Sequence, residues 1–513
     1  MQISTLKLKA QKHIFLFLSL TYFLFRLINL TRLPVFNDEA IYLDWAWRMT
    51  SEQGMLFYSL YDAKQPLLMW FFGIAMHLLP DPFFAGRFVS VLCGWLTLFG
   101  IYTLGKTYFN KRIAIVASFL YIAIPIFSFY DRQALMEAAV GAVGVWTVWF
   151  ALKFWKTGST KDAVFVGLLL GIGFFIKSSA LIFLLAFFLI SLWMYWSRRN
   201  FRFRSLFYSI SSFLCVIFLI LLQPRFWETL SSNSRYGFGL FDLLKFPVAA
   251  WFSNLFGNAE IGFLFLTPIV CIASIVGVFL ILRKGTGDQK YLGLWVVCTL
   301  LLQILLIRGT SQRYLVSYLP LIVLSVGYCL EIVLKKQKQE MIGLVLSTIL
   351  FVIPLGITVV QISNPVSYFQ LFGFSRYSEG GSYITGNTSG YGVDVAIAYI
   401  SKLPKGERIF VGESLYTGNP ESAVMVAFAK SNTITVGYLD RKLLGDQVDS
   451  VDCIQADVPV YFMSKQNDVG GLEKFLENIT YLKNPYNKNV IGIWKMKEKC
   501  EGKSLPVRLV NIK

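Results

Sequence analysis

The sequence predicts an α-helical polytopic membrane protein of about 11 spans, with interfacial helices and a small C-terminal α/β soluble domain. Three observations predict it. Of 513 residues, 55% are hydrophobic and mean hydropathy is +0.57, which a soluble globular chain does not reach. Apolar runs of spanning length recur over the first 361 residues. Basic residues collect on alternate loops between those runs, the pattern of a chain threaded back and forth through a bilayer.

The runs lie near 14–30, 84–104, 113–130, 134–152, 163–179, 180–196, 206–223, 261–282, 291–307, 314–333 and 341–361. One set of loops carries Lys7, Lys9, Lys12, Lys106, Lys111, Arg112, Lys153, Lys156 and Lys161. It continues with Arg198, Arg199, Arg202, Arg204, Arg283, Lys284, Lys290, Lys335, Lys336 and Lys338, nineteen basic residues in all. The short loops between them hold only Arg132, Lys177, Arg308 and Arg313. This asymmetry sets the N-terminus in the cytoplasm of a multi-pass cell-membrane protein, and an odd span count then puts the tail outside. The net charge of +18 is accordingly read as sidedness and not as a nucleic-acid footprint. The first run begins at His13 and lacks a small-residue cleavage site, so it reads as a retained signal anchor.

Residues 1–361 are expected to form the transmembrane domain and residues 362–513 the extracytoplasmic α/β domain. The external loop near 31–83 contains Ala40–Met49 and Pro66–Leu79; the latter is too short for a span, and both read as helices in the interface. The loop near 224–260 also reads as interfacial. In the tail, helices are expected at Val393–Leu403, Pro420–Lys430 and Leu472–Asn478, with strands at Arg408–Val411, Val458–Met463 and Val490–Lys495. The tail glycines, from Gly380 to Gly392, follow no strand and make no dinucleotide fingerprint. Cys93, Cys215, Cys271, Cys298 and Cys329 sit in apolar runs as packing residues, whereas Cys453 and Cys500 could pair outside or stand as separate thiols.

Asp38 and Glu39 follow the first span on its external side. A carboxylate there could act as general base toward a hydroxyl, or the two together could bind a divalent metal ion, although no full ligand set is evident. Acidic residues in a first helical turn also simply favour the helix dipole, with Asn37 as N-cap. Lys64 is either a phosphate ligand or an interfacial lysine reaching the headgroups. Asp131, Arg132 and Glu137 gather at one external span end, where ionisable groups are costly and mark either function or a structural ion pair. Arg87 and Arg313 sit at similar ends and could join Lys64 and Arg132 in an anion clamp. His13 and His77 are the only histidines, too few for a multi-histidine metal site.

Taken in order, Asp38-Glu39, Lys64-Gln65-Pro66-Leu67, Arg87, the basic turn Gly105–Arg112, Arg132 with Glu137, and Arg313-Tyr314 through Pro320 are similar to the C-type membrane glycosyltransferases. That group includes protein O-mannosyltransferases, the lipid A aminoarabinose transferase and related bacterial family-39-like enzymes. The resemblance covers most of residues 10–330. It implies a polyprenyl-phosphate sugar as donor and a hydroxyl acceptor on a glycan, lipid or protein outside the cytoplasm, with no nucleic acid involved. It gives Asp38, with Glu39, the task of activating the acceptor. Lys64, Arg87, Arg132 and Arg313 would hold the donor phosphate, with Asp131 and Glu137 as a second acidic site. Two positions depart from the family pattern: Gln65 stands where the motif has proline, and Glu137 where it often has aspartate. The competing readings are a transporter or lipid-linked sugar flippase, which would usually show internal repeats that this chain lacks, and a non-catalytic membrane scaffold.

Overall fold

The structure is a computed structural model that describes residues 2–197, 204–230, 235–336, 340–403, 409–414, 418–439, 459–465, 469 and 476–497. Helices occupy every apolar run. The chain opens with α1 (Gln2–Leu27), α2 (Asn37–Ser51), α3 (Leu67–Leu78) and α4 (Pro82–Leu104). The expected span at 113–130 is a pair, α5 (Lys111–Ala123) and α6 (Pro125–Asp131), bent by 67°. Pro125 has no N–H to give and its ring crowds the preceding turn, so the helix restarts there. Next come α7 (Glu137–Thr157), α8 (Thr160–Ile176), α9 (Leu181–Ser197), α10 (Arg204–Leu221), α11 (Pro224–Thr229) and α12 (Leu240–Leu244).

The run at 261–282 is not one helix, contrary to the sequence expectation. Its first residues finish α13 (Val248–Phe265) and the rest form α14 (Pro268–Lys284), with a 119° bend between them. Thr267 has a φ of 78° and Pro268 starts the new helix, which together break the run. The last helices of this part are α15 (Gly287–Leu306), α16 (Gln312–Val316), α17 (Ile322–Lys336) and α18 (Glu340–Ser363). Among the described residues, four helices are long and apolar enough to cross a membrane, or six if each bent pair is one span. The expected eleven spans exceed this number, and the expected run at 314–333 is divided between α16 and α17. The protein is a multi-pass membrane protein.

The described chain divides into two compact units. One comprises residues 1–30, 57–68 and 87–364. Its helices approach closely where side chains are small: a Cβ on Gly167 or Gly171 of α8 would meet the backbone of α10. There Ser209 Oγ donates to the carbonyl of Ala163 at 2.8 Å and Ser212 Oγ to that of Val164 at 3.1 Å.

The other unit joins residues 365–513 with 31–56 and 69–86, so two segments from the N-terminal part belong with the tail. Beyond α2 and α3 it contains α19 (Pro365–Leu371), α20 (Val393–Ser401), β1 (Ile409–Ser414), α21 (Glu421–Phe428), β2 (Ile434–Leu439), β3 (Val460–Lys465), β4 (Leu476–Lys483) and β5 (Asn489–Met496). The sheet order is β2-β1-β3-β5-β4; β1 is parallel to β2 and β3, and β5 is antiparallel to β3 and β4. Val411, Met463 and Ile493 from the sheet pack with Val393, Ala396, Ile400, Ala423 and Val424 from the helices, and with Val35 and Ala40 from the first loop and α2.

The tail elements match expectation except in three places, the first being the unexpected helix α19. β2 was not foreseen, and residues 476–478 are strand where the helix Leu472–Asn478 was expected; residues 472–475 lie outside the described residues, as do Arg408, Val458, Cys453 and Cys500.

Candidate active site

In the helical unit, two cations meet one buried carboxylate and a third stands near them. Glu137 is the first residue of α7, where the helix dipole favours an anion. Its Oε1 accepts from Lys177 Nζ at 2.8 Å and from Arg313 Nε at 3.3 Å. Its Oε2 is buried with no hydrogen-bond partner among the described residues. Lys177 follows α8, and Arg313 lies in α16. The Lys177 ammonium stands 5.8 Å from the Tyr314 ring, which meets the Tyr236 ring at 6.5 Å, and Lys64 Nζ lies 4.3 Å over Tyr236. Lys177 and Arg313 meet the Glu137 carboxylate with Lys64 nearby, in a setting where charge is weakly screened.

The loop carrying Lys64 is tied to the loop carrying Lys177 by the residue that departs from the family pattern. Gln65 is buried, and its Oε1 accepts from the backbone N–H of Ser178 at 3.2 Å. A proline could not make that bond. On the other side Ser59 Oγ donates to the Lys64 carbonyl at 2.9 Å. Sequence reasoning placed Lys177 on the external side without assigning it to the site, and it missed Gln65 and Tyr236. The only signal for Lys177 was a solitary cation in a very short loop expected on the external side.

Arg132 and Arg87 are engaged with backbone at the end of α1. Arg132 Nη1 donates to the carbonyls of Phe25, Arg26 and Ile28, and Nη2 to that of Asn29, at 2.8–3.1 Å. Arg87 Nη1 donates to the Leu30 carbonyl at 2.9 Å. These are the carbonyls that a helix C-terminus leaves without partners, and a cation there also answers the dipole. Asp131 faces the same helix: its Oδ2 pairs with Arg26 Nε at 3.0 Å and accepts from Tyr22 OH, while Oδ1 accepts from Tyr121 OH. Arg26 also donates to the carbonyls of Tyr121 and Ile122. The pair is buried and well hydrogen-bonded, so removing one partner would leave a stranded charge, a cost of about 3–5 kcal/mol.

In the second unit, Asp38 and Glu39 open α2, and they differ. Glu39 is fully buried and its Oε2 accepts from the Phe36 N–H at 3.0 Å, closing the first turn; Phe36, not Asn37, is the N-cap residue. Asp38 is half-buried. Asn37 instead joins the tail: its N–H donates to the Thr388 carbonyl at 3.0 Å, and its Oδ1 accepts from the Asn419 N–H at 2.9 Å. Asn419 Nδ2 donates to the Val35 carbonyl, and the Phe36 and Tyr383 rings stack at 4.4 Å. Two turns along α2, burial raises the Asp44 carboxyl above the usual carboxylate range, and the Arg48 guanidinium 3.1 Å away pulls it back down. Among the described residues, no three His, Cys, Asp or Glu side chains form a metal-holding group.

Residues 63–225 match the family model for dolichyl-phosphate-mannose-protein mannosyltransferase. The chain is similar to the crystal structure of ArnT from Cupriavidus metallidurans in the apo state, at 14% identity and a TM-score of 0.56, over 95% of this chain and 98% of that one. It is also similar to ArnT from the same organism bound to undecaprenyl phosphate, at 15% identity and a TM-score of 0.54, over 94% and 98% of the two chains. At such identities the shared property is the fold, and it extends over nearly the full length of both chains. No curated protein matches the chain.

Proposed function

We propose that this protein is a membrane glycosyltransferase of the C type, which moves a sugar from a polyprenyl phosphate to an acceptor hydroxyl. The observation that carries the reading is the meeting of Lys177 and Arg313 at Glu137, with Lys64 near Lys177, in the helical unit of a fold like that of ArnT. In this reading Asp38 takes the proton of the acceptor hydroxyl. The acceptor oxygen bonds to the anomeric carbon as the carbon–oxygen bond to the phosphate breaks, with the electron pair leaving on the phosphate. Attack opposite the leaving group inverts the anomeric centre. The donor phosphodiester carries one negative charge and the released monoester carries up to two. A set of fixed cations at the phosphate therefore favours the late, more charged state over the ground state, which is the requirement for catalysis.

Lys64, Lys177 and Arg313 hold the phosphate in this assignment. Glu137 orients the last two, and Arg87, Arg132 and Asp131 fix the end of α1. Glu39 shapes the turn that presents Asp38. The alternate basic loops support an N-terminus in the cytoplasm, a cell-membrane location and an extracytoplasmic tail.

The test uses the purified protein in proteoliposomes with a polyprenyl phosphate carrying a radiolabelled sugar and a hydroxyl acceptor. Label on the acceptor, with one polyprenyl phosphate released per sugar moved, is the expected result. Label that crosses the bilayer still attached to its lipid would make the protein a flippase instead.

A further inference from the structure

We infer that α1 and α4 form a binding groove for one anionic glycerophospholipid, at the end of the helical unit opposite the cation cluster. The inference rests on the orientation proposed above and not on the transfer chemistry. Between the two helices lies a cavity of about 610 Å³, within the range of ordinary small-molecule sites. Its wall is aromatic: Phe15 of α1 meets Phe99 and Tyr102 of α4 at 5.1 Å each, and Phe23 meets Trp95 at 6.1 Å. Trp95 Nε1 donates to Ser19 Oγ at 3.0 Å, so this wall buries no loose indole N–H. Leu16 and Leu20, which also line the cavity, stay more than half exposed and leave it open along one side.

The groove changes chemistry at one end. There it is lined by Thr103, Lys106 and Thr107, the last two on the widened turn Gly105–Phe109 that follows α4. Lys106 belongs to the basic loops that mark the cytoplasmic side. A cation and two hydroxyls at the mouth of an apolar groove match a lipid phosphate above acyl chains, and basic pockets between helices on that side are known to take anionic headgroups. A second observation points the same way. Tyr102 is 6% exposed, and its buried hydroxyl has no hydrogen-bond partner among the described residues. A buried hydroxyl without an acceptor is costly, and an ester carbonyl of a bound glycerolipid would supply one.

The experiment is native mass spectrometry of the full chain in detergent, with phosphatidylglycerol or phosphatidylcholine of identical acyl chains. One phosphatidylglycerol per chain is expected, retained about fivefold better than phosphatidylcholine, as one favourable headgroup cation implies. Lys106→Gln should erase that preference. Tyr102→Phe should weaken both lipids by about fivefold, the effect of one lost hydrogen bond. Lys111→Gln, an exposed lysine outside the groove, should change neither. Equal retention of the two lipids by the parent protein would overturn the inference. So would phosphatidylglycerol retention that both groove variants leave intact, or a dimer that binds no lipid. Melting curves of the variants matching the parent would show that loss of lipid is not loss of fold.

Discussion

At Glu137, one buried carboxylate oxygen accepts from two cations, and this is the residue-scale feature on which the proposed donor site depends. The pair from Lys177 spans 40 positions in sequence, and no motif announces it. Lys64 and Arg313 each sit in a recognisable string; Lys177 does not, because its pairing with Glu137 exists only once α7, α8 and α16 are packed. Gln65 is similar. As a letter it is a departure from the pattern, and only the folded chain shows its carbonyl capping Ser178. Arg132 was legible as a costly charge, but its four carbonyl partners lie more than a hundred residues upstream. Lys177→Met should therefore lower kcat/KM for the lipid donor by about ten- to hundredfold, the effect of losing a charged hydrogen-bonding group. Lys177→Arg should recover part of the loss. Unchanged kinetics in the methionine variant would remove Lys177 from the phosphate site.

Among the elements, proline and side-chain periodicity account for most of what matched expectation and most of what did not. Pro125 and Pro268 sit inside apolar runs whose hydropathy reads as continuous, and each restarts a helix at a new angle. The helix expected at Leu472–Asn478 overlaps the start of β4, where Leu472, Phe475 and Leu476 recur at helical spacing; pairing with β5 outweighs that pattern at residues 476–478. The first turn of α2 depends on a tail segment that no local reading connects to it. Gly418 has a φ of 108°, and a Cβ there would fall on the Asn37 side chain. Gly418→Ala should destabilise the tail unit by about 1–3 kcal/mol, the cost of backbone strain at such a position. It should also raise amide hydrogen exchange over residues 35–39. Exchange and melting equal to the parent would mean that the 418–419 turn does not hold that segment.

On the scale of the whole molecule, the membrane class was legible from composition and the fold from the order of short motifs, whereas the membership of two N-terminal segments in the second unit was not. Residues 31–56 and 69–86 join the tail unit because Val35 and Ala40 supply part of its core, and hydropathy does not register that partnership. Orientation follows from charge alone and can be tested alone. In a cysteine-free background, cysteines at positions 62 and 310 should react with an impermeant thiol reagent from outside intact cells, and cysteines at 160 and 286 should not. The reverse pattern would turn the molecule over and place the cation cluster in the cytoplasm. The central claim, that Asp38 is the base of a sugar transfer, has a more direct measurement. Asp38→Asn keeps the size and leaves Glu39 to close the turn, so it should bind polyprenyl-phosphate sugar as the parent does and lose transfer by at least about a hundredfold, the range of general-base catalysis. An asparagine variant that transfers sugar at the parental rate would contradict the account.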